Sequence, residues 1–113
     1  SIHADMEVDP SEITFEAAEQ LSSLEPFGCE NPIPSFVTRG VKLTQLLPTK
    51  NPAHMRLKLA GENCSFDGIA FGLGERFSKA GAGVSTDLVF QPSIDEWNGR
   101  RSLKLKINDF SVV

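Results

Sequence analysis

Residues 54–61, HMRLKLAG, indicate the fold class, because polar and apolar side chains alternate strictly from His54 to Leu59. In an extended chain Met55, Leu57 and Leu59 share one face, and the residues between them share the other. This alternation is typical of a β-strand that has one buried face and one solvated face. The segment therefore predicts a β-strand with one face packed against a hydrophobic core and the other face in solvent.

Four further segments resemble strands, and turn residues separate them: 36–47, 64–71, 86–94 and 102–113. Gly40 predicts a bulge in the first, and Asn98-Gly99 predicts a hairpin between the last two. The glycine-rich residues 72–85 predict a short helical turn between the strands at 64–71 and 86–94. The pattern predicts a mainly β protein built on a five-stranded, OB-fold-like barrel, while a β-sandwich and an SH3-like barrel remain alternatives.

A short helix and a proline-rich connector precede these strands. Thr14 predicts the N-cap of a helix of about ten residues, and Pro26 predicts its end. Residues 25–34, EPFGCENPIP, contain three prolines and predict a rigid connector. We therefore divide the chain into residues 1–34, comprising the acidic tail of a preceding domain, the helix and the connector, and residues 35–113, the barrel.

Charge is distributed unevenly along the chain. The net charge is −4, yet residues 1–38 contain eight of the 15 acidic residues and no Lys or Arg. Residues 39–113 hold all 11 basic residues and the other seven acidic ones, a net charge of +4. Neutralisation of phosphate charge dominates nucleic-acid affinity. The net positive charge of residues 39–113 is therefore compatible with nucleic-acid binding, although the net negative charge of the whole chain is not.

Catalytic signatures are missing from the sequence. The two histidines, His3 and His54, have no partners at metal-ligand spacing, and Cys29 and Cys64 lack zinc-site spacing. Two unpaired thiols, no apolar run long enough for a membrane span and no signal peptide predict a cytoplasmic protein without membrane contact. We expect neither a catalytic residue nor a metal ligand in this chain.

Basic side chains occupy the polar face of two predicted strands. His54, Arg56 and Lys58 form one outward row, and Lys104 and Lys106 form another. No Asp or Glu interrupts these five positions, whereas an ordinary solvated face mixes charges of both signs. Solvation explains each row singly, but barrel closure would unite them into a positive face for single-stranded DNA.

The predicted hairpin completes the candidate DNA-binding set. Trp97 lies among polar residues, where burial is difficult to arrange, so base stacking competes with edge packing as its role. Arg100 and Arg101 follow it, and we expect them to clamp phosphate. The phenylalanines of the strands are instead predicted to fill the core: Phe66, Phe71 and Phe90.

LEPFGCENPIPSF, residues 24–36, resembles the junction motif of RecJ-type single-strand-specific exonucleases, in which a helix runs into PFG, two variable residues, NP and PxF. HMRLKL, FDGIAFGLGE and the closing strands through Asp109-Phe110 resemble later blocks of that family in the same order. The resemblance covers residues 14–110. The family often has Asn where this chain has Asp95, which places an acid beside the predicted groove.

The resemblance implies an OB-fold domain that follows the catalytic DHH and DHHA1 domains of the same protein. It also implies single-stranded DNA as the ligand and 5′-to-3′ degradation, with Mg²⁺ or Mn²⁺, in recombination and repair. The DHH metal ligands have no counterpart here, so the enzyme would be the longer protein, with no cofactor in this fragment. The alternative is a brace or protein-interaction domain of the same nuclease, binding other repair proteins without touching DNA.

Overall fold

The computed structural model describes residues 4–23 and 34–113 of the chain. Strands predominate among them, and the helices are short. In chain order the elements are β1 (Met6–Glu7), a 3-10 turn (Pro10–Glu12), α1 (Phe15–Ser22), β2 (Phe36–Pro48), β3 (Met55–Ala60), β4 (Ser65–Ala70), α2 (Gly74–Ala80), β5 (Ser85–Trp97) and β6 (Arg100–Val112).

Strands β2 to β6 close into a five-stranded barrel. β3 lies between β2 and β4, and β4 pairs in parallel with β6. β6 then pairs with β5, and β5 returns to β2, so no strand of the barrel is left with an unpaired long edge. Helix α2 lies between β4 and β5 in the chain, and the predicted OB-fold-like barrel is confirmed.

The long strand β2 pairs with two neighbours because it bends. Its first half pairs with β5 and its second half with β3. The β5 register shifts between Thr38 and Val41, and Gly40 between them has φ 71°. This left-handed conformation suits glycine, so the bulge predicted at Gly40 is confirmed.

The core fills the barrel, and α2 covers one end of it. Phe77 of α2 is fully buried, and its ring stacks on Phe110 of β6 with centroids 3.8 Å apart. Thr86 is also buried, and its hydroxyl donates a hydrogen bond of 2.9 Å to the carbonyl of Val41. The rest of the core comes from Ile13, which follows the 3-10 turn, and from inward positions of every barrel strand: Val41, Leu43, Met55, Leu57, Leu59, Phe66, Ala70, Leu88, Phe90, Leu105 and Ile107.

The N-terminal residues pack on the barrel. β1 pairs in parallel with the start of β2, and the Arg39 guanidinium bridges Glu7 and Asp87 at 2.9 and 3.0 Å. The Glu7 carboxylate has the larger effect and Asp87 the smaller, and together they raise the pKa of Arg39 above its ordinary value. Thr14 caps α1 as predicted, because its hydroxyl accepts from Ala17 N at 3.1 Å. The predicted helix end at Pro26 and most of the connector lie outside the described residues.

Candidate nucleic-acid interface

Four strands contribute to one outer face of the barrel. Arg56 on β3 is paired with Ile69 on β4, and Ile69 is paired with Lys106 on β6. Residues directly opposite one another in a sheet point to the same side. The two predicted basic rows therefore share a surface, but β4 lies between β3 and β6 and separates the rows by one strand.

The face that unites the two basic rows contains an acid as well. Two residues beyond Arg56 on β3, Lys58 is paired with Asp67 of β4, and Asp67 is paired with Lys104 of β6. The ammonium of Lys58 forms an ion pair with the Asp67 carboxylate. Counting along β3 and β6 alone misses this acid, because pairing with β4 brings it between them. Among the residues that the structure describes, Arg56, Lys104 and Lys106 take part in no ion pair.

These three cations line a shallow groove of about 410 Å³. The groove crosses β3, β4, β6 and β5, so its walls come from residues far apart in the chain. It combines cationic, apolar, aromatic and hydrogen-bonding side chains: Arg56, Ile69, Phe71, Ser93, Asp95, Lys104 and Lys106.

Phe71 lies on this outer face, which corrects its predicted place in the core. Its side chain is 53% exposed, while Phe66 and Phe90 are buried as predicted. Phe66 and Phe71 are five residues apart, and side chains an odd number of positions apart in a strand point to opposite faces. Alternation along β4 was therefore the signal that could have identified Phe71 as exposed.

His54 supports the Phe71 ring. The two rings meet edge to face, with centroids 5.0 Å apart and an interplanar angle of 77°. Nδ1 of His54 accepts a hydrogen bond of 3.1 Å from Gly72 N, so the neutral ring carries its hydrogen on Nε2. Nζ of Lys106 lies 5.9 Å from the centre of the Phe71 ring. His54 thus helps to position the aromatic ring, in addition to its predicted place in the basic row.

The β5–β6 hairpin extends this face beyond the groove. Trp97 is paired with Arg100. Arg100 is separated from Lys104 and Lys106 by even numbers of residues along β6, so its side chain points to the same side as theirs. The Trp97 side chain is 75% exposed. The structure therefore places Trp97 and Arg100 on the same side as the groove cations, in line with the predicted DNA-binding set.

Arg101 points the other way. Its guanidinium contacts Glu19 of α1 at 2.6 Å and lies 5.8 Å from the ring centre of Phe15. Adjacent residues of a strand face opposite sides, so Arg100 and Arg101 cannot clamp one phosphate together from this strand. Arg101 instead attaches the hairpin to the N-terminal helix, which differs from its predicted role.

Comparison with known proteins agrees with this fold and this order of motifs. The family model described as the RecJ OB domain matches residues 4–109. The chain belongs to the RecJ OB domain family. The family resemblance drawn from residues 14–110 is thereby confirmed.

Relatives of this RecJ OB domain include a much longer protein. The single-stranded-DNA-specific exonuclease RecJ of Bacillus subtilis (strain 168) is 29% identical over 102 residues, which are 89% of this chain and 13% of that protein. RecJ of Thermus thermophilus, solved in complex with Mn²⁺, superposes with a TM-score of 0.64 at 20% identity. That match covers 85% of this chain and 13% of the RecJ chain, and the same protein has been solved with Mg²⁺.

A smaller relative by fold is the second single-stranded DNA binding protein, SSBb, from Mycobacterium smegmatis. It superposes with a TM-score of 0.60 at 17% identity, and the match covers 70% of this chain and 84% of SSBb. At this identity the likeness concerns the fold. The RecJ OB domain therefore shares its barrel both with a piece of a nuclease and with nearly the whole of a small binding protein.

The end of the RecJ OB domain includes the Asp109-Phe110 pair. Arg76 of α2 donates to Asp109 at 2.9 Å and to the Phe110 carbonyl at 2.8 Å. Partial burial opposes ionisation of Asp109. The hydrogen bonds from Arg76 and Phe110 N outweigh that burial and hold the pKa of Asp109 below its ordinary value. Arg76 therefore joins α2 to β6 and lies apart from the groove residues.

Residues 4–23 and 34–113 are the part of the chain that the structure describes. Within these ranges no group of three or more His, Cys, Asp or Glu side chains is placed to hold a metal ion. No helix there is long and apolar enough to cross a membrane.

Proposed function

We propose that this domain is the single-stranded-DNA-binding module of a RecJ-like nuclease, acting in recombination and repair in the cytoplasm. The groove carries the proposal, because it combines an exposed aromatic ring with three cations. Arg56, Lys104 and Lys106 line it together with Phe71. The nuclease itself would degrade DNA from the 5′ end.

The cations supply the sequence-independent part of the affinity. Each phosphate that a Lys or Arg neutralises releases condensed counterions, so binding weakens as salt rises. Arg56, Lys104 and Lys106 have no ion pair within the described residues, so phosphate need not displace a carboxylate from them. Lys58 contributes less, because Asp67 already neutralises it.

Phe71 and Trp97 favour single strands over duplex. A base can stack on an aromatic ring only if its face is free, and duplex DNA hides both faces of every base pair. The two exposed rings lie near opposite ends of the outer face, with basic residues of β6 between them. From the rise of about 3.3 Å per strand residue, they are on the order of 25 Å apart. This length suits a segment of several nucleotides.

The relatives support the same assignment. SSBb of M. smegmatis, by its name, binds single-stranded DNA, and B. subtilis RecJ is a single-stranded-DNA-specific exonuclease. The chain spans 13% of that RecJ. We therefore place catalysis and its divalent metal in other domains of the longer protein, the DHH and DHHA1 domains that the resemblance implies.

A brace function is the second candidate, and the ion pairs around the barrel favour it. Arg101 ties the hairpin to Glu19 on α1, and Arg39 ties β2 to Glu7 on β1. These contacts fix the N-terminal residues against the barrel. Such an arrangement would hold neighbouring domains, or another repair protein, at a defined angle without DNA contact.

A fluorescence anisotropy titration of the 113-residue chain separates the two candidates. The ligands are a labelled single-stranded oligonucleotide and the duplex of the same length, each at about 50 and about 200 mM salt. DNA binding predicts tighter binding of the single strand and an affinity that falls steeply with salt. Equal affinity for single strand and duplex, or an affinity that does not change with salt concentration, contradicts the proposal and favours the brace function.

A further inference from the structure

Asp95 is an acid in a groove that otherwise suits phosphate. It lies on β5, opposite Ser102 of β6, and it lines the same groove as Lys104. Among the described residues, its carboxylate takes part in no ion pair, although three cations line the groove with it. Asp67, the other acid of this face, is by contrast paired with Lys58.

The chemistry of a carboxylate limits what Asp95 can bind. It repels phosphate, and when ionised it only accepts hydrogen bonds. The donors that single-stranded DNA offers are on the bases, chiefly the amino groups at N4 of cytosine, N6 of adenine and N2 of guanine. A base with such an amino group therefore suits this position better than the backbone does.

We propose that Asp95 accepts a hydrogen bond from the amino group of a bound base, so that the domain prefers cytosine, adenine and guanine to thymine and uracil. The inference rests on the proposed DNA-binding function. Phe71 and Asp95 line the same groove on different strands, so a strand of DNA that stacks one base on the ring can turn the edge of another base toward Asp95. The corresponding edge of uracil or thymine presents N3–H between two carbonyl oxygens, which the carboxylate repels.

The test compares oligo-dC with oligo-dU of equal length by fluorescence anisotropy at about pH 7.5, using the 113-residue chain. Uracil lacks the amino group and, unlike thymine, adds no methyl group. One partly exposed hydrogen bond predicts about two- to tenfold tighter binding of dC. Asp95→Asn should reduce this ratio to about one, because the amide can also donate to the uracil carbonyl.

Glu96→Gln is the matched control. Glu96 is the next residue of β5, is paired with Arg101, and lies on the opposite side of the hairpin from Asp95. Both substitutions remove one negative charge and should raise affinity for every oligonucleotide, so the dC-to-dU ratio is the informative quantity. The Glu96→Gln variant should keep the wild-type ratio.

The outcomes distinguish this inference from the function on which it rests. Equal binding of dC and dU by the wild-type chain overturns the role of Asp95 and leaves DNA binding intact. A preference that survives in Asp95→Asn, or that disappears in Glu96→Gln, also overturns it. Failure of the wild-type chain to bind either oligonucleotide overturns the proposed function itself.

Discussion

At the residue scale, Phe71 is the exposed aromatic side chain of the groove, and the proposed function makes it a stacking surface for a base. Phe71→Ala should weaken binding of single-stranded DNA by about 1–3 kcal/mol, or about five- to 150-fold, because one stacking surface is lost. Phe71→Trp should restore most of the affinity, since it keeps an aromatic face. Anisotropy titrations measure both effects, and urea denaturation should show only a small change in the free energy of unfolding.

Met6→Ala is the control for Phe71→Ala. Met6 is also an exposed large apolar side chain, but it lies on β1 and outside the groove. Its removal should leave DNA affinity unchanged. If Phe71→Ala binds DNA as tightly as the wild-type chain does, the ring is not a stacking platform, and the groove proposal loses its aromatic part.

At the scale of elements, the contact between α2 and β6 gives the fold a pH dependence. Hydrogen bonds from Arg76 and Phe110 N lower the pKa of Asp109 below its ordinary value near 3.8 in spite of partial burial. A carboxyl with a lowered pKa in the folded state stabilises the fold at pH values above its unfolded pKa. That contribution is lost as the pH falls through the folded pKa.

Urea denaturation between about pH 6 and about pH 2.5 should therefore show that Asp109→Asn destabilises the chain at the upper end of this range. The difference from the wild-type chain should shrink below about pH 4, as Asp109 becomes protonated. Glu75→Gln, at an exposed ion pair within α2, provides the comparison. A difference between Asp109→Asn and wild type that stays constant over this pH range would show that charge at Asp109 does not stabilise the contact.

At the scale of the whole molecule, the positive face depends on the pairing of β4 with both β3 and β6. Arg56 and Lys104 come from β3 and β6, and β4 joins their strands. The double variant Arg56→Glu, Lys104→Glu should weaken binding of every single-stranded sequence to a similar degree. It should also reduce the slope of log affinity against log salt by about two units, one for each lost phosphate contact.

The control reverses Lys42 and Lys79, which are exposed basic residues outside the groove lining. Arg76 is unsuitable as a control, because it donates hydrogen bonds to Asp109 and to the Phe110 carbonyl. Circular dichroism should show that both double variants fold. If Lys42→Glu, Lys79→Glu weakens binding as much, overall charge rather than this face governs affinity.

The features that the sequence predicted correctly depend on neighbours along the chain. Alternation in residues 54–61 predicted β3, Thr14 predicted the start of α1, and Asn98-Gly99 predicted the turn between β5 and β6. Side-chain period, helix capping and turn conformation are local properties, and a few adjacent residues suffice to specify them. The order of such elements favoured the five-stranded barrel, while a β-sandwich and an SH3-like barrel remained alternatives.

Only the tertiary structure decided which side chains share the interface. Pairing of β4 with both β3 and β6 inserted Asp67 between the basic rows and brought Phe71 to the groove. Packing of α1 on the hairpin drew Arg101 away to Glu19. These outcomes depend on contacts between residues distant in the chain. Periodicity within one strand determines which of its residues share a face. Which strand pairs beside that one is determined only when the whole core packs.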